Sequence, residues 1–145
     1  MALTISRCLG PDVDILAKHL RIWATTEFAW GRSDCAIVLA DYVQDLRGVD
    51  GAAHLRGRYR TRAGCNRVSG FIRRGLVAVV GECAAKAGLP ASEAPQRGDI
   101  GVLQVTAAAF AGAICLGGDR WALKSPEGLM TVTRPKVVAA WSVQE

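Results

Sequence analysis

Five cysteines and two histidines bound the nucleophilic chemistry open to this 145-residue chain. Cys35 is the one thiol in a chemically suggestive place. It follows Ser33 and Asp34 at the predicted start of a helix, where Ser33 suits the N-cap. Backbone N–H groups are unpaired in a first helical turn and the helix dipole is positive there. The expectation is a stabilised thiolate with a lowered pKa, beside amides able to hold an oxyanion. Packing on the apolar face of a core helix explains a cysteine equally well, so position alone leaves both roles open. A thiol nucleophile also needs a base, ordinarily a histidine. The chain offers His19, between apolar positions of the first predicted helix, and His54, shortly beyond the second. Neither falls in the strand region, and each also suits a surface or packing role. The other cysteines, Cys8, Cys65, Cys83 and Cys115, are scattered and form no C-x-x-C pair. A disulfide framework, a metal site or a cofactor is therefore not expected.

The elements that must position Cys35 follow from periodicity. Residues 12–25 read as a helix, with Val13, Leu16, Leu20 and Trp23 on one face and Pro11, Asp12 and Asp14 at its start. After a break at EFAWGR, Cys35, Val38, Leu39, Tyr42, Val43 and Leu46 keep the i, i+3, i+4, i+7 spacing of a core helix that Gly48 ends. A short turn-helix is expected over 51–60, then helices over 62–74, closed by Gly75, and over 76–87, closed by Gly88. Beyond Pro90, Pro95 and Gly98 the pattern changes to strands near 100–105, 112–116, 120–124, 129–133 and 137–142. The fold class is α+β. It is one domain over 1–145, with a helical part at about 12–88 packed on one face of an antiparallel meander of about five strands at about 98–142.

Half the residues are hydrophobic and 21% are charged, which excludes bulk disorder. No apolar run approaches the roughly 20 residues of a membrane span. The start MALTISRCLGPDVD shows no basic segment followed by an apolar one, so no secretory signal is expected. The net charge is +5, with arginines concentrated between Arg47 and Arg74. Arg56, Arg58, Arg60 and Arg62 are the candidate binding residues, for an acidic partner protein or an anionic polymer, unless they are simply a solvated face. With no zinc-finger spacing, glycine-rich phosphate loop or aromatic-plus-basic sheet pattern, nucleic acid is not the favoured partner.

The segment Phe28-Ala29-Trp30-Gly31-Arg32-Ser33-Asp34-Cys35 resembles the Trp-Gly and Asp-Cys motif that opens the catalytic helix of NlpC-type cell-wall peptidases. Arg97-Gly98-Asp99-Ile100 is similar to the start of their first core strand, and Ala113-Ile114-Cys115-Leu116-Gly117 to the end of their histidine-bearing strand. A phage- and prophage-derived subgroup shares more, including an Arg-Gly-x-Tyr segment (Arg56-Gly57-Arg58-Tyr59) and a late Gly-Leu turn (Gly128-Leu129). The resemblance implies a papain-like fold, Cys35 as nucleophile beside Asp34, and a place in a phage tail tip. There NlpC-type domains open peptidoglycan or help build the tip. It implies other tail proteins (tail-tip hub or distal tail components) as partners, peptidoglycan as a further ligand, and residence in the virion after cytoplasmic assembly.

The departures from the family pattern decide between readings. Alignment places the family histidine at Ala111, its oxyanion-assisting tyrosine at Phe28, and its Asp-Cys-Ser-Gly run at Asp34-Cys35-Ala36-Ile37. Missing general-base catalysis costs roughly 10²–10⁴-fold in rate. The first expectation is therefore a non-enzymatic tail-tip or tail-assembly protein on a degenerate peptidase fold. The alternatives are a working cysteine endopeptidase or amidase on peptidoglycan, with His54, another polar residue or a partner chain as base, and a binding module using the arginine belt.

Overall fold

A computed structural model describes residues 15–144. The first helix, α1, is observed over 15–25, and its expected start at 12–14 lies outside the described residues. Leu16 and Trp23 are buried, as the stripe requires. The second, α2 (Cys35–Arg47), is buried on nearly every side, with Ala36, Ile37, Val38, Leu39, Ala40, Tyr42 and Val43 all inside. Its apolar face is wider than the predicted stripe because two cores meet on it. Val38, Leu39, Tyr42 and Val43 join the main core. Ile37 and Ala40 join a second cluster with Leu55, Tyr59 and Val79.

Three local expectations are corrected. The α2 N-cap is Asp34, whose carboxylate accepts from the Ile37 N–H. Ser33 instead donates its hydroxyl to the Glu27 carbonyl, which removes it from the cap. The helix expected over 62–74 is two, α3 (Arg62–Ser69) and α4 (Phe71–Arg74), broken at Gly70 in the left-handed conformation (φ 72°). The Asn66 and Ser69 side chains accept from the Ile72 and Phe71 N–H groups at the break, so local side-chain bonds replace helical ones there. Residues 51–60 form successive turns rather than a helix. The last helix, α5 (Leu76–Lys86), and the Gly48 terminus of α2 fall where the sequence puts them.

Five antiparallel strands follow: β1 (Ile100–Gln104), β2 (Phe110–Gly117), β3 (Arg120–Ser125), β4 (Gly128–Thr133) and β5 (Lys136–Trp141). Their order is β4-β3-β2-β1-β5, so the meander holds through β4 while β5 returns to pair with β1. Only Arg134 and Pro135 join the two edge strands. Four steps of roughly 4.8 Å would put the edges of a flat sheet about 19 Å apart. Three Cα–Cα steps of about 3.8 Å reach at most about 11 Å. The sheet must therefore coil, helped by irregular pairing at Val102/Leu103 and at Cys115/Gly117. Its convex face, with Ile100, Val102, Ile114 and Trp141, receives the helices. Leu103, Ala113, Cys115, Trp121, Leu123 and Ala140 fill the inside of the coil. No described helix is long and apolar enough to cross a membrane.

Candidate functional site

Cys35 is the first residue of α2, and three backbone or hydroxyl donors converge on the carboxylate just before it. Asp34 accepts from the Gly31 N–H (2.8 Å), the Ile37 N–H (3.1 Å) and the Tyr59 hydroxyl (2.8 Å). Gly31 has φ 82°, and a Cβ there would sit 2.2 Å from the Tyr59 carbonyl, so glycine is required. Its own carbonyl accepts from the Gly57 N–H. The Arg-Gly-x-Tyr segment is thus the brace of the Trp-Gly-x-x-Asp-Cys segment. The sequence displayed both motifs and gave no sign that Tyr59 touches Asp34.

Arg56 completes that brace. It pairs with Asp41 on α2 (2.5 Å) and with Asp50 (2.8 Å), so the guanidinium expected on a docking surface is committed inside the fold. Arg58 and Arg60 are exposed and carry no ion pair among the described residues. The Arg62 guanidinium lies 5.4 Å over the Phe71 ring. The Arg56 bond holds the Asp50 carboxyl below its ordinary range. A lowered carboxyl pKa contributes stability that is present above the ordinary value, near pH 4, and lost as pH falls through the lowered one. Arg56→Met should therefore cost about 1 kcal/mol at pH 7, the pair being partly exposed. It should also flatten the loss of Tm between pH 5 and pH 3 in thermal melts.

Cys35 is half-buried and opens into a cavity of about 590 Å³. Phe28 and Trp30 (ring centroids 5.1 Å apart), Tyr59, Cys65 and Phe71 line one side; residues 108–111, with Leu123, Lys124 and Ser125, line the other. Burial, and then the neighbouring Asp34 charge, push the Cys35 thiol up to about 11, against the opposing help of the Gly112 and Ala36 N–H groups. The expected lowering is thus overturned. The helix-start amides do favour the thiolate, but desolvation by the cavity walls outweighs them.

No described histidine lines this cavity. His54 pairs with Glu82 on α5 (2.9 Å), which removes it as the substitute base. His19 pairs with Asp45 (2.8 Å). Ala111, near the start of β2, does line the cavity and presents only a methyl group. Lys124 lines it too, but its ammonium donates to the Trp23 (2.8 Å) and Thr26 carbonyls at the end of α1. Asp34 is engaged on both oxygens by structural bonds. The site therefore holds a neutral thiol in an aromatic-walled cavity, where Arg62 is, among the described residues, the one lining cation with no hydrogen bond to protein.

The sequence model of one family, described as a domain of unknown function (DUF6950), matches residues 12–143. Neither a curated protein nor a solved structure matches the chain.

Proposed function

We propose that this chain, which belongs to the DUF6950 family, is a non-hydrolytic tail-tip or tail-assembly protein of a phage or prophage, built on a degenerate papain-like, NlpC-type domain. The order of the motifs supports the fold assignment. So does the meeting of the Cys35 helix start with β2 at Gly112, whose N–H faces the thiol. The observation that carries the loss of hydrolysis is the cavity itself, which pairs a thiol pushed up to about 11 with no imidazole. Against a pKa near 11, only about one thiol in 10⁴ is ionised at pH 7. The absent base removes a further roughly 10²–10⁴-fold. The retained Asp34-Cys35 pair is no argument for activity, because capping α2 and holding Tyr59 account for Asp34.

Iodoacetamide kinetics, with Cys35→Ser as the background, test this reading. The Cys35-specific rate is expected to rise about tenfold per pH unit until beyond pH 10, as a thiol of that pKa requires. Purified peptidoglycan should be left intact by the wild type and by Cys35→Ala alike. In a phage encoding the chain, Cys35→Ala should leave tails normal where deletion removes complete tips. An alkylation plateau near neutrality, with wall cleavage that Cys35→Ala abolishes, would establish the cysteine-hydrolase alternative instead.

A further inference from the structure

We propose that the Cys35 cavity is a docking pocket for an acidic segment of a partner protein, which inserts one bulky apolar side chain beside Cys35 while its carboxylates meet the arginines of the α3–α4 wall. The inference rests on the non-hydrolytic reading of the same site. Three observations carry it.

The cavity, at about 590 Å³, has the size of a ligand pocket, and apolar groups surround it. Ile72 is 53% exposed, Val105 50% and Phe110 41%, all three at this one opening. Large apolar groups left half in water around a concavity mark an interaction site.

The charge is one-sided. From residue 51 to residue 81 there is no Asp or Glu. Within that stretch Arg58, Arg60, Arg67 and Arg73 are exposed, and none pairs with a carboxylate among the described residues. Arg62, held over Phe71, brings the same charge to the cavity wall. Guanidinium groups recognise carboxylates through paired donors, and a surface rich in them selects acidic partners and speeds their encounter.

The interior offers no competing charge. Among the described residues Asp34 is the only carboxylate lining the cavity, and three donors already engage it. Lys124 is turned to the α1 carbonyls. An apolar anchor can therefore enter against Phe28, Trp30 and Phe71 without stranding a buried polar group, as a binding hot spot requires. The thiol itself acts there as a small apolar group.

The test is selection of random 12-residue peptides displayed on a carrier against the full chain at low salt. Enriched peptides are expected to be net acidic and to carry Leu, Ile, Met, Phe or Trp. Labelled synthetic copies should bind more weakly as salt rises and should protect Cys35 from N-ethylmaleimide. Ala111→Trp, which narrows the cavity, and Arg62→Glu, which reverses the charge on its wall, should each weaken binding at least about tenfold. Neutral or basic consensus peptides, binding indifferent to both substitutions, or no enrichment would overturn the proposal. So would equal displacement by a single-stranded oligonucleotide of the same charge, which would mean binding by charge alone. Cleavage of bound peptides that Cys35→Ala stops would overturn the non-hydrolytic reading. Absence of both binding and cleavage would overturn only the docking.

Discussion

Replacing Ala111 with histidine is expected to raise the rate of Cys35 alkylation at pH 7 by about a hundredfold. Ala111 lines the cavity into which Cys35 opens and precedes Gly112, whose N–H already faces the thiol. In a strand, successive side chains point to opposite faces. A Cβ at Gly112 would meet Leu39 and the Cys35 carbonyl, so residue 112 faces the start of α2. Residue 111 then lies on the opposite face, packed against the cluster inside the coil but still lining the cavity, so an imidazole there meets the sulfur by reaching across the cavity. An imidazolium partner favours the thiolate, and cysteines so paired ionise at or below about pH 7. Moving the thiol from about 11 to about 7 raises the thiolate fraction at neutrality by roughly 5 × 10³. The less basic thiolate is a weaker nucleophile, by roughly 40- to 100-fold over four units at a Brønsted slope of 0.4–0.5. The ratio leaves about a hundredfold. Ala111→Gln, of similar size and without the charge, should change the rate little. An Ala111→His profile matching the wild type would show that a side chain at residue 111 does not reach the thiol across the cavity, and the alignment with the peptidase histidine would lose its support. Amide hydrolysis should recover far less than alkylation, because no third group stands ready to orient the new ring.

The architecture was legible where local signals suffice. The 3.6-residue period of α2, the glycine at its end and the turn residues between strands were enough to order the elements. What was not legible was set at a distance. Ser33 and Asp34 are both good caps by type, and the choice fell to Asp34 because the Gly31 N–H and the Tyr59 hydroxyl need an acceptor that the Glu27 carbonyl had drawn Ser33 away from supplying. The return of β5 to β1 has no local signature, since only coiling of the whole sheet makes the Arg134-Pro135 link long enough. The thiol is the clearest case. Its helix-start position was readable and its effect was assigned the correct sign, yet burial reversed the outcome. The burying residues come from segments tens of positions away, around Cys65, Phe71 and Ala111. Arg56 was misassigned for the same reason, because Asp41 and Asp50 are partners only once α2 is folded beside the turns.

Asp34→Ala should destabilise the fold by about 3–5 kcal/mol, lowering Tm by about 10–15 °C for a domain of this size. Loss of the cap alone costs about 1 kcal/mol. The larger part comes from the groups left behind, since the Gly31 N–H and the Tyr59 hydroxyl both lose their acceptor in the interior. Each such orphan costs roughly 1–3 kcal/mol. Tyr59→Phe removes one bond to a charged acceptor and leaves Asp34 with two donors, so it should cost roughly 1.5–3 kcal/mol. The two effects share one contact and should not add. In the Asp34→Ala background, Tyr59→Phe should become nearly neutral or stabilising, because it deletes the orphaned hydroxyl. Denaturant titration of the four proteins in this cycle measures the coupling directly. Additive losses would mean that the Tyr59 hydroxyl bond does not tie the Arg-Gly-x-Tyr segment to the start of α2. Strong coupling would mean that Asp34 is retained as the keystone of the cavity wall, holding Cys35, Trp30 and Tyr59 in place whether or not any thiol chemistry occurs beside it.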